Sequence, residues 1–117
     1  MLLAAAAPLL LVSPAIAADD VMAGFYGNTA VATGGMAELH FHYNPDHSFL
    51  MDVPAFHMQF KGTWKIVGTD LCRTYEKPPP GAENPSCSPV HPRKVGDTWT
   101  VTTGSETRTV TLVKGNQ

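Results

Sequence analysis

The chain has 117 residues and a formal net charge of −2. That length holds one domain and leaves no room for a second core. A balance so near neutral, with basic residues scattered and Arg93-Lys94 only a pair, argues against nucleic acid or an anionic membrane as a partner.

Residues 1–17 read as an export signal. An apolar run leads to Ala15-Ile16-Ala17, the small-x-small pattern that signal peptidase cuts after. The run is short for a membrane span and is broken by Pro8 and Pro14. No Lys or Arg precedes it, so either the true start lies upstream of Met1 or the leading region is unusual. The expected mature chain is a single domain over residues 18–117, periplasmic or secreted, and not membrane-spanning once the signal is removed.

Beyond the signal, no segment keeps apolar residues at helical spacing for more than a turn. Ten glycines and ten prolines divide it into short stretches rich in Thr, Val, Phe and Tyr, the pattern of short β-strands. Residues 24–33 make a first strand, ended by Gly34-Gly35. Residues 36–44 alternate: Ala37, Leu39, Phe41 and Tyr43 face one way, Glu38, His40 and His42 the other. Asn44-Pro45-Asp46-His47 suits a type I turn closed by a left-handed residue, here His47. That turn sets Tyr43 opposite Phe49 and Phe41 opposite Met51. A one-residue slip would carry Phe and Met onto the histidine face, so the pattern selects the register. On the reverse face His40 meets Asp52 and His42 meets Leu50.

Pro54 breaks the strand, and residues 56–67 alternate again, with Phe56, Met58, Phe60, Gly62, Trp64 and Ile66 inward. A turn at Gly68-Thr69 pairs Ile66 with Leu71 and Trp64 with Arg73, predicting a cation–π contact between that guanidinium and that indole. Residues 77–92 read as a long proline-rich loop with no ladder pattern. The last hairpin joins residues 97–103 to 106–113 through Gly104-Ser105, with Trp99, Val101, Val110 and Leu112 sharing a face with Arg108. Residues 115–117 read as a frayed tail.

The two cysteines, Cys72 and Cys87, lack C-x-x-C spacing and in an oxidising compartment read as one disulfide tethering the loop. The whole is an all-β domain of seven or eight short antiparallel strands joined mostly by tight turns. An up-and-down barrel is expected, with a flattened β-sandwich as the alternative.

The segment Gly62-Thr63-Trp64, with Arg73 placed to cover the tryptophan, resembles the G-x-W signature of lipocalins. The wider run YNPDHSF, GTWKIVGTDLC and GDTWTV is similar to small lipocalin-like barrel domains of exported bacterial proteins. In lipocalins the signature lies on the first barrel strand, whereas here it falls mid-chain in a shorter sequence. The resemblance implies a barrel holding a small hydrophobic ligand in its interior or mouth.

Two faces carry candidate function. On the apolar face Phe41, Tyr43, Met51, Met58, Trp64, Arg73, Trp99 and Arg108 are the candidate ligand-binding residues, suited to a small hydrophobic or aromatic molecule, an anion included. The same pattern fits a solid core covered by arginine stems. On the polar face His40 and His42 lie about 7 Å apart by strand geometry and with Asp52 could hold Zn or Cu. Otherwise His40 and Asp52 form an ordinary cross-strand pair. There is no G-x-S-x-G, nucleophilic cysteine or phosphate loop, so an enzyme would have to use a His–Asp base in isomerase or lyase chemistry. The leading expectation is non-catalytic ligand binding without a cofactor. A module that binds another envelope protein through a strand edge or the proline-rich loop is a further reading.

Overall fold

The computed structural model describes residues 18–117, so the proposed signal segment lies outside the described residues. A 3-10 helix, Ala18–Phe25, is followed by eight strands: β1 (Thr29–Thr33), β2 (Leu39–Tyr43), β3 (Ser48–Val53), β4 (Met58–Val67), β5 (Asp70–Tyr75), β6 (Ser86–Pro89), β7 (Thr98–Thr103) and β8 (Glu106–Val113). They form one antiparallel sheet in the order β6-β5-β4-β3-β2-β1-β8-β7. Strand β8 returns to pair with β1, and the sheet curls into a nearly closed barrel. β6 and β7 lie against each other across a seam that no ladder bridges.

The hairpins carry the expected registers. Tyr43 faces Phe49, Phe41 faces Met51 and His40 faces Asp52. His47 closes the turn with a φ of 71°, and its N–H donates to the Asn44 carbonyl at 3.0 Å. Trp64 faces Arg73 and Ile66 faces Leu71. Trp99 faces Val110 and Val101 faces Arg108. Alternation therefore sends the aromatic residues of β2, β3 and β4 into the barrel and the histidines of β2 outside it.

Four expectations need correction. The first strand begins at Thr29, because Gly24 and Phe25 belong to the 3-10 helix. With three residues per turn, Met22 and Phe25 fall on one side of that helix, and both are buried. The proline-rich stretch contains β6, whose Cys87 pairs directly with Cys72 on β5, so the disulfide is a cross-strand bond. Pro85 precedes β6 and Pro89 is its last residue, and neither breaks it because the strand lies at the seam, with one edge free of ladder partners. Arg73 does not cover Trp64: its guanidinium lies 4.8 Å from the Phe41 ring centre, while Arg93 covers Trp99 at 4.3 Å. The tail is anchored, since the Gly115 N–H donates to Asn28 Oδ1 at 3.1 Å and the Gln117 N–H to Thr29 Oγ1 at 2.9 Å.

The core follows from the ring of strands. Leu112, Met22 and Trp64 are 0, 0 and 2% exposed, and the 3-10 helix plugs the end of the barrel that holds them. Gly24 makes the plug fit. A Cβ there would stand 1.8 Å from the Arg93 carbonyl oxygen, so only glycine lets the helix approach the β6–β7 connection.

Candidate functional site

The barrel is not filled. A cavity of 710 Å³ runs from the plug, where Phe25 forms part of its floor, to the opposite end of the strands. That mouth is framed by the β1–β2 and β3–β4 turns and by the proline-rich loop, which contribute Met36, Phe56 and Pro80. The volume is that of a small-molecule site.

Its floor is aromatic. Phe25 meets Tyr43 and Trp99 edge-on, with ring centres 5.8 and 5.9 Å apart, and Tyr75 of the lining is backed in the same manner by Phe49, outside it, at 5.2 Å. Phe41, Met51 and Val53 are buried walls, and Phe60 and Val101 are half-buried ones.

One polar cluster interrupts these walls. Arg73 donates from Nη1 to the Tyr43 hydroxyl at 3.0 Å and from Nη2 to Ser86 Oγ at 3.5 Å. Its buried Nε has no hydrogen-bond partner, and none of the ion pairs among the described residues includes it. Its favourable contacts are thus two hydroxyls and the face of Phe41, weak compensation for a cation inside a protein. Tyr75, two residues on along β5, sends its hydroxyl to Met51 Sδ at 3.7 Å. Burial raises the Tyr75 pKa above its ordinary value against the pull of Arg73, so the phenol stays protonated at neutral pH.

Arg108 behaves differently. At the mouth its Nη1 donates to the Ala37 carbonyl at 3.0 Å, and its Nη2 lies 2.9 Å from Glu106 Oε1. Gly35 makes room for this guanidinium, because a Cβ there would come within 2.2 Å of it. Its charge is already compensated.

Of the residues expected to bind ligand, Phe41, Tyr43, Met51, Met58, Arg73, Trp99 and Arg108 line the cavity. Trp64 does not. It lies at the plugged end, stacked on His47 with ring centres 4.1 Å apart and tilted against Tyr26 at 6.3 Å. Its indole N–H donates to the Asn44 carbonyl at 3.0 Å. His47 in turn pairs with Asp19 of the plug at 2.5 Å, so the G-x-W tryptophan holds the barrel end together. Sequence reasoning missed Phe25, Tyr75, Ser86 and Ser88. The first falls in a helix too short for periodicity, and the serines sit on a strand hidden among prolines.

The polar face turns away from the cavity. His40 Nε2 lies 2.9 Å from Glu38 Oε2, and His40 is paired in register with Asp52. His42 Nδ1 is 3.4 Å from Thr29 Oγ1. Burial and the neighbouring His40 lower the His42 pKa, with Asp52 and Asn116 opposing them. Among the described residues no three His, Cys, Asp or Glu side chains converge as a metal site, so His40, His42 and Asp52 are not assembled as one. A His–Asp base here would work on the outer surface, with the barrel wall between it and the cavity.

Comparison of the chain with family models, with curated proteins and with solved structures gives no significant match.

Proposed function

We propose that this protein is an exported, non-catalytic binder of a small hydrophobic or aromatic molecule, taken into the barrel from the mouth. The observation that carries this reading is the 710 Å³ cavity between apolar walls, with aromatic rings at its floor and Arg73 beside it. The Cys72–Cys87 disulfide supports a non-reducing compartment, which agrees with the Ala15-Ile16-Ala17 cleavage pattern.

The two tryptophans supply the test. Trp99 lines the cavity and Trp64 does not. Apolar fluorescent or quenching probes should change the emission of the wild type and of Trp64→Phe, and leave Trp99→Phe unchanged. Filling the cavity with Val101→Phe should weaken the response at least tenfold without loss of fold. If no probe changes the emission at millimolar concentration, or if Val101→Phe leaves binding as it was, the reading fails.

A further inference from the structure

The cluster around Arg73 contains more hydrogen-bond donors than acceptors. The Tyr43 hydroxyl accepts from Arg73, which leaves its own proton free to donate. Ser86 Oγ is in the same position, across the β5–β6 ladder from Arg73. Tyr75 directs its proton at a thioether, a weak acceptor that a better one would displace. Arg73 Nε–H has no acceptor at all. Buried donors are ordinarily satisfied, and a buried cation is ordinarily paired. Here one guanidinium, two phenols and a serine hydroxyl share a cavity wall; Glu83 and Glu106 also line the cavity, but no carboxylate of the described residues forms an ion pair with Arg73.

From this we infer that the cavity carries a subsite for a single carboxylate, so that its ligand is an apolar or aromatic monocarboxylic acid bound head-inward. The inference rests on the proposed function and adds the chemical class and orientation of the ligand. A carboxylate is planar, carries one charge and offers two oxygens with about four acceptor directions, which matches one guanidinium fork with hydroxyls around it. A phosphate head would bring a second charge, and the cluster has no second cation. Of the other arginines along the cavity, Arg108 is held by Glu106 and the Ala37 carbonyl, and Arg93 lies over the face of Trp99 and makes none of the hydrogen bonds of the cluster. Tyr43 is the last residue of β2 before the turn at the plugged end and touches Phe25 of the plug, so the head group lies in the plugged half. The body of the molecule then extends past Phe41 and Met51 toward Met58 and Phe56 at the mouth.

The test compares isosteric acid and amide pairs, 2-naphthoate with 2-naphthamide and octanoate with octanamide, by calorimetry at neutral pH. The wild type should take each acid at least tenfold more tightly than its amide. Arg73→Met should abolish that preference and change amide affinity less than threefold, whereas Arg108→Met should keep the preference intact. If Arg73→Met does not fold, as a thermal melt would show, Tyr43→Phe combined with Ser86→Ala should reduce the preference at least threefold. Equal affinity for acid and amide overturns the carboxylate subsite and leaves the barrel reading standing. So does a preference that survives Arg73→Met or the double variant, or one that vanishes in Arg108→Met. A protein that takes up none of the four molecules overturns both.

Discussion

At the plugged end of the barrel Met22 and Trp64 are almost fully buried, His47 lies flat on Trp64, and Asp19 of the helix holds His47 in turn. At the mouth Met36, Phe56 and Met58 are 93, 54 and 45% exposed and have no comparable layer over them. The same strands run to both ends. The difference is that the plugged end places several independent contacts on each side chain, while the mouth leaves its side chains beside a void. Stability therefore gathers at one end and access at the other.

Substitutions can break that contrast or sharpen it. The largest effect is expected from Gly62→Ala, since a Cβ there would lie 1.9 Å from the Thr74 carbonyl oxygen and 3.0 Å from Phe49. Backbone cannot yield as a flexible side chain can, so the loss in urea unfolding should exceed about 3 kcal/mol. Trp64→Ala should cost about 3–5 kcal/mol by removing a buried indole with its stack and hydrogen bond. Trp64→Phe, which keeps a ring and removes one of the two donors to the Asn44 carbonyl while the His47 N–H remains, should cost less.

Replacing Cys72 and Cys87 together by serine should lower stability by about 3 kcal/mol, given a sequence separation of 15 between them. The effect should appear equally in wild type treated with reductant, which distinguishes loss of the bond from altered packing.

A smaller effect concerns pH. His42, beside the anchored tail, has a pKa below its ordinary 6.5 in the folded state because burial and His40 disfavour its charge. The unfolded chain then binds more protons than the folded one just below that value. Its contribution to stability is complete above pH 6.5 and is lost as pH falls from there through the lower folded-state value. The urea midpoint should therefore decline between pH 7.5 and 5.5 more steeply in wild type than in His42→Gln. Equal slopes would remove His42 from the account. Smallest of all, Met36→Ser and Phe56→Ser at the mouth should change stability by no more than about 0.5 kcal/mol. A loss of the size expected for Trp64→Ala would erase the contrast between the ends.

Much of the fold was legible because single residues settle it. Phe41 and Tyr43 against Phe49 and Met51 admit one register, and Asn44-Pro45-Asp46-His47 fixes the turn that enforces it. Gly68-Thr69 did the same for Trp64 and Arg73. What escaped depends on curvature and on distant contacts. Register places Arg73 beside Trp64, but its long side chain crosses the curled sheet to reach Phe41 and Tyr43 on β2. Likewise Asn84 reads as a loop residue, yet its side chain supplies both halves of a ladder rung to Tyr75, accepting from its N–H at 2.9 Å and donating to its carbonyl at 3.1 Å. The cavity itself was the least legible element. Alternation shows which side chains point inward, and only their packing around a closed ring shows that they leave space at the centre.

The seam gives the barrel a place to yield. Strand β6 is joined to β5 by a ladder and by a covalent bond, and to β7 by neither. It hangs from the sheet like a door on one jamb, with Ser86 and Ser88 on its inner panel. Swinging it outward breaks no ladder bond, whereas parting any other neighbouring strands breaks several. An outward movement of β6 would widen the interior without parting a ladder, along the wall that carries Ser86.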